Sequence, residues 1–209
     1  MKRVRGIVIV LFFLFVLLTV MVLMNQMVVF DDTIYNHLMF FRNDNLDVAF
    51  KFLTKLANTS TILVLIIFLS CFLKKKDYYL LLTVILSTVG MNQLLKHVIR
   101  RVRPDHFRMI VEKGFSFPSG HAMISIALYG YLIYLIYRRV SNKYLKLTLI
   151  SLLVLLILII GCSRIYLGVH YPSDVLGGYL LALAILILVI DLYQYHLEGG
   201  KSNDKNGGK

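Results

Sequence analysis

Gly6–Phe30 reads GIVIVLFFLFVLLTVMVLMNQMVVF, an apolar run interrupted only by Thr19, Asn25 and Gln26. A helix of about 20 apolar residues crosses the hydrocarbon core of a bilayer, so this run is long enough to span it. The basic start Met1-Lys2-Arg3-Val4-Arg5 precedes it. A cleavable signal peptide has an apolar core of about 7–15 residues and a small-x-small cleavage site. This run is longer and lacks that site, so it reads as a retained first transmembrane helix with its N-terminus in the cytoplasm.

The whole chain agrees with that reading. Of its 209 residues 58% are hydrophobic and the mean hydropathy is +0.75. An ordinary soluble domain is about 45–50% apolar, and the excess must face lipid. The formal charge of +12 would suggest nucleic acid in a soluble protein. Here the basic residues alternate with apolar spans, so cytoplasmic anchoring and anionic lipid account for them, and no nucleic-acid partner is expected. Cys71 and Cys162 both lie inside apolar runs. They make no disulfide framework and have no nearby His or Asp to activate them.

Working outward from the first run, the chain turns amphipathic between Asp31 and Ser60. Ile34, Leu38 and Phe41 repeat at helical spacing, as do Leu46, Phe50, Leu53 and Ala57 after the capping cluster Asn43-Asp44-Asn45. Two short interfacial helices are expected there, packed on the bundle or gating substrate. Further apolar runs bring the expectation to an all-α, six-helix transmembrane bundle. Its spans are placed at about 6–30, 57–73, 78–96, 119–137, 145–163 and 174–194. Residues 1–197 form one membrane domain, and 198–209 a Gly-, Lys- and Asn-rich tail expected to be disordered and cytoplasmic. Lys74-Lys75-Lys76 and Arg138-Arg139, in very short turns, mark the inside. The loop after span three breaks that pattern: Lys96, Arg100, Arg101, Arg103, Arg108 and Lys113 all crowd a segment assigned outside. Either the orientation is reversed or this loop keeps its cations for a chemical reason.

Three stretches carry unusual polar residues. They are Lys96 to Pro104, Pro118-Ser119-Gly120-His121, and Ser163-Arg164 with His170 and Asp174. Span counting puts all three on one face of the membrane, whichever face that is. Phe117 to His121 runs from a Pro/Gly turn into an apolar segment, so Ser119 caps a helix whose free N–H groups and positive dipole end suit an anion. Lys96, Arg103 and Arg164 add three fixed cations, and phosphoryl transfer depends on such charge stabilisation. His170 and His121 could divide nucleophilic and acid roles. Asp174, four residues after His170, could orient its imidazole as a triad carboxylate does.

Lys96-x6-Arg103-Pro104, Pro118-Ser119-Gly120-His121 and Ser163-Arg164-x5-His170-x3-Asp174 together resemble the three-part signature of the type 2 phosphatidic acid phosphatase family, also called lipid phosphate phosphatases. The resemblance extends from the signature to nearly the whole span layout. In size the chain is similar to the compact bacterial phosphatidylglycerophosphate and undecaprenyl-diphosphate phosphatases. The resemblance implies that His170 attacks phosphorus to form a phosphohistidine, that Asp174 orients it, and that His121 protonates the departing oxygen and later helps water attack. It implies that Lys96, Arg103 and Arg164, with Ser119 and Gly120, hold the phosphate, and that no metal or other cofactor is needed. Arg101 joins that phosphate-binding set, since an extra cation would suit a diphosphate. The site is expected on the outer face of a bacterial plasma membrane, with undecaprenyl diphosphate or phosphatidylglycerophosphate as substrate. A lipid phosphotransferase using an acceptor hydroxyl, or a lipid-binding or translocating protein without chemistry, is the alternative. Off the motifs, His97 and His106 read as loop residues and Arg100 and Arg108 as headgroup anchors. Asp31-Asp32 reads as a cap for an interfacial helix, and His37 and His196 carry no assigned role.

Overall fold

The computed structural model describes residues 2–105 and 108–206, and these are almost entirely helical. His106, expected to be a loop residue, lies outside the described residues. α1 (Lys2–Leu23) is apolar all round, as a helix buried in lipid must be. Phe15, Leu18 and Val22 are buried against the last helix, α9 (Pro172–Asn206), while Ile9 and Phe13 point outward.

The first span is shorter than the sequence suggested. It ends at Leu23 rather than Phe30, because Asn25 takes a left-handed backbone (φ 57°) and turns the chain. Asn tolerates that conformation better than any apolar neighbour. α2 (Val28–Phe40) and α3 (Asp44–Leu53) follow, the latter capped by Asn43, whose side chain accepts from Leu46 N at 3.0 Å. These are the expected interfacial helices. A tight turn (Thr54–Ala57) leads into α4 (Thr59–Ser70).

The second span also departs from expectation. At 12 residues, α4 rises only about 18 Å, short of the ~30 Å hydrocarbon core. Together with Asp44–Ala57, against which it is bent by 52°, it is long and apolar enough for one broken span or a re-entrant loop. The remaining spans are long: α5 (Lys75–Ile99), α6 (Gly120–Ser125) continuing through a wide π turn (Ile126–Gly130) into α7 (Tyr131–Arg139), then α8 (Lys143–Tyr166) and α9. Among the described residues, five helices are therefore long and apolar enough to cross a membrane, or six spans with the bent pair. α9 carries on to Asn206, beyond the boundary at 197 expected from composition. Extending an existing helix needs no new nucleus, and no Pro interrupts that stretch.

Two close approaches fix the site end of the bundle. A Cβ on Gly178 would meet Ser119 O at 2.9 Å, and one on Gly177 would meet the Phe117 ring at 2.7 Å. The two glycines thus let α9 lie directly on the backbone that opens α6. Ser119 N donates to Asp174 O at 3.0 Å and closes the same seam. The opposite end is held by Arg139 with Asp77 and by the Tyr131 hydroxyl donating to Asp77 O at 2.7 Å.

Candidate active site

The turn between α8 and α9 builds the centre of the site. Gly168 (φ 71°) lets the chain reverse, and Val169 N and His170 N both donate to Arg164 O at 3.2 Å. This packs His170 against the end of α8, only 2% exposed. Asp174, fully buried on the first turn of α9, accepts from Tyr171 N at 2.8 Å and from the Ser116 hydroxyl. Its Oδ2 lies 3.4 Å from His170 Nδ1, a long contact that tightens if the ring becomes charged.

The other face of the imidazole belongs to Arg103. Its Nη1 lies 3.2 Å from His170 Nε2 and donates to Val169 O at 2.8 Å. Its remaining nitrogens donate to Gly114 O at 3.0 Å and Lys113 O at 3.1 Å. Arg103 therefore ties the loop that follows α5 over the histidine and presents one edge to Nε2. Burial, reinforced by the charges of Arg164 and Arg103, pushes the His170 pKa down to about 4, with Asp174 opposing. At neutral pH the ring is uncharged, and with Nδ1–H toward Asp174 the lone pair sits on Nε2 beside Arg103.

Arg164 is fully buried. It donates to Thr54 Oγ1 at 2.7 Å and pairs with Glu112. Burial raises the Glu112 pKa, yet Arg164, Arg103 and His170 outweigh it and hold the carboxyl below its usual range. His121 Nε2 lies 2.8 Å from Asn58 Oδ1, and an amide oxygen can only accept, so that nitrogen donates. Lys96, on the last turn of α5, and His121 both lie within electrostatic reach of Arg103 and Arg164. Asn92 supports the cradle from behind, donating to Pro118 O at 3.0 Å, with its Oδ1 3.2 Å from where a Cβ on Gly120 would sit. Two buried polar atoms here, Ser119 Oγ and Arg164 Nε, have no partner among the described residues. Buried donors are normally satisfied, and an anion with several oxygens would satisfy both.

The three motifs thus meet: Arg103 reaches His170 and Val169, Asp174 lies against His170 and its backbone O accepts from Ser119 N, and Lys96 and His121 lie within electrostatic reach of Arg103 and Arg164. Arg101, which the sequence placed in the phosphate-binding set, is bonded here to two carboxylates. Its Nη1 donates to Asp174 Oδ1 at 2.6 Å and Ser173 Oγ at 2.7 Å, and its Nη2 to Asp31 Oδ2 at 2.8 Å. It stacks at 4.0 Å over the Tyr171 ring and joins the carboxylate that faces Nδ1, whereas Arg103 is the cation in contact with Nε2. Asp31, read from sequence as a helix cap, is buried in this cluster (1% exposed). Sequence reasoning missed Thr54, Asn58, Glu112 and Ser116 altogether. Short polar side chains in loops carry no periodic signal, and only Asn58, just before an apolar run, sits where a signal is usual. His97 turns away, its Nδ1 2.8 Å from Gln93 O on its own helix.

Phosphatidylglycerophosphatase B of Bacillus subtilis is 34% identical over 185 residues, which cover 86% of this chain and 91% of the relative. The crystal structure of a transmembrane PAP2-type phosphatidylglycerolphosphate phosphatase from Bacillus subtilis superposes with a TM-score of 0.82 at 30% identity, covering 90% of this chain and 96% of the other. LpxE of Aquifex aeolicus superposes with a TM-score of 0.67 at 25% identity, covering 78% and 95%. The model of the PAP2 superfamily matches residues 77–198, the stretch that carries all three motifs, and the chain belongs to that superfamily.

Proposed function

We propose that this protein hydrolyses a lipid phosphate monoester through a phosphohistidine on His170, at the outer face of the membrane, with phosphatidylglycerophosphate as substrate. The observation that carries this reading is the pairing of a neutral, buried imidazole with Arg103 at its Nε2 and Asp174 at its Nδ1, next to the unpartnered donors of Arg164 and Ser119. The Nε2 lone pair forms a bond to phosphorus as the bond to the lipid oxygen breaks. Arg103, Arg164 and Lys96, with the Ser119 hydroxyl and the amides opening α6, bear the charge on the non-bridging oxygens. His121 gives its proton to the departing oxygen, which leaves as the lipid alcohol. A water then attacks phosphorus and passes a proton to His121. The N–P bond breaks, its electrons return to Nε2, and inorganic phosphate departs.

Asp174 stays charged in this scheme and holds the imidazole in orientation as charge develops on the ring. The full-length similarity to a phosphatidylglycerophosphatase supports a monoester substrate. The pairing of Glu112 with Arg164 supports it too, since that carboxylate trims the positive surplus a diphosphate would exploit. The outer-face assignment rests on Lys74-Lys75-Lys76 and Arg138-Arg139 at the far end of the bundle. Phosphatidylglycerophosphate, phosphatidic acid and undecaprenyl diphosphate assayed side by side test the substrate. The first should turn over fastest, and a preference for the diphosphate would overturn the assignment. His121→Ala separates the roles of the two histidines. It should retain labelled phosphate on the protein, whereas His170→Ala should take up none.

A further inference from the structure

We propose that Asp31, on the interfacial helix α2, is a positioning residue for the nucleophile's carboxylate, acting through Arg101 and Ser173. Asp31 lies in a different part of the sequence from all three motifs. Its Oδ1 accepts from Ser173 N at 2.8 Å, and its Oδ2 accepts from Ser173 Oγ at 2.8 Å and Arg101 Nη2 at 2.8 Å. Ser173 N belongs to the first turn of α9, where the helix has no backbone acceptor of its own to offer. Asp31 therefore caps α9 from across the chain, one residue before Asp174.

The second route runs through charge. One guanidinium reaches both carboxylates, Asp174 by Nη1 at 2.6 Å and Asp31 by Nη2 at 2.8 Å. The two carboxylates are 0% and 1% exposed and Arg101 only 16%, so water screens these contacts little. Asp174 has to keep enough negative charge to hold His170 Nδ1–H and to stabilise the ring as phosphorus is attacked. An unbalanced Arg101 bonded to the same carboxylate would withdraw that charge. Asp31 balances Arg101, so Arg101 fixes the position of Asp174 without weakening it. Arg101 bonds the carboxylate that faces Nδ1, while Arg103 is the cation in contact with Nε2, so the proposal gives Asp31 and Arg101 no contact with the phosphate.

The prediction separates positioning from binding. Asp31→Asn keeps an acceptor for Ser173 N but loses the charge facing Arg101. It should lower kcat about 10- to 100-fold with KM within about twofold. In an Arg101→Gln background the same substitution should cost less than about threefold, because the residue it acts through is gone. A purely structural cap would cost the same factor in both backgrounds, and that result would overturn the proposal, as would a wild-type kcat in Asp31→Asn. A rise in KM alone would instead place Arg101 on the phosphate. Should Asp31→Asn fail to accumulate in membranes, Arg101→Lys decides. It keeps the charge but cannot bond two carboxylates as a fork. A kcat loss at constant KM supports the proposal, and a wild-type kcat overturns it. The inference rests on the phosphohistidine reading, whose own failure shows separately as labelled phosphate absent from the wild-type protein.

Discussion

The two ends of this bundle use the same residue types for different ends. At the Lys-rich end Arg139 pairs with Asp77 and Arg5 with Asp191, and the arginines are 42% and 51% exposed. At the site end Arg101, Arg103 and Arg164 are 16% exposed or less, and each makes three or more polar contacts or closes a buried pair. An exposed ion pair is screened by water and worth little; a buried guanidinium must have every donor answered, and one left open invites an anion. Burial, not residue identity, separates an anchor from a binding group.

That contrast can be broken in order of expected effect. His170→Ala should lower phosphate release from the lipid by at least about 10⁴-fold, read by single-turnover kinetics, because it removes the group proposed to make the new bond. Arg164→Gln should lower kcat about 10²- to 10³-fold, the range for deleting one donor that faces developing oxyanion charge. Activity near wild type there would undo the contrast between the two ends. The acid limb of the pH–rate profile should follow His170. Its pKa is depressed to about 4, so the active neutral ring is present above that value and is lost as pH falls through it. An acid limb two units higher would mean that the ring is not desolvated as the geometry implies. Arg139→Gln should leave kcat and KM unchanged and shift stability by no more than about 1 kcal/mol, measured by thermal unfolding in detergent. A tenfold loss of activity would show that the far pair is coupled to the site.

Some of this was readable before any coordinates. The run Gly6–Phe30 already required a membrane helix, and the repeats at Ile34 and Leu46 required interfacial ones, since burial and lipid exposure act on residues close in sequence. The spacing of the three motifs between spans placed His121, His170 and the cations on one face without knowing how any two helices cross. Other features were not readable from local pattern. Asn25 ends α1 because one residue adopts a left-handed backbone, and hydropathy has no sensitivity to that. The bend before α4 depends on Thr54 and Ala57 finding burial against the bundle.

Arg101 marks the division most clearly. Its neighbours in sequence placed it with the phosphate ligands, but its partners Asp31 and Asp174 lie 70 and 73 residues away. Sequence alone determined that this chain crosses a membrane as helices and gathers the histidines and cations of its three motifs at one end, because helix formation and partitioning into lipid are local. Tertiary structure decided which cation faces the histidine and which stands behind its carboxylate. A guanidinium finds its partner only once the helices carrying the two carboxylates have packed, and no local pattern records that choice.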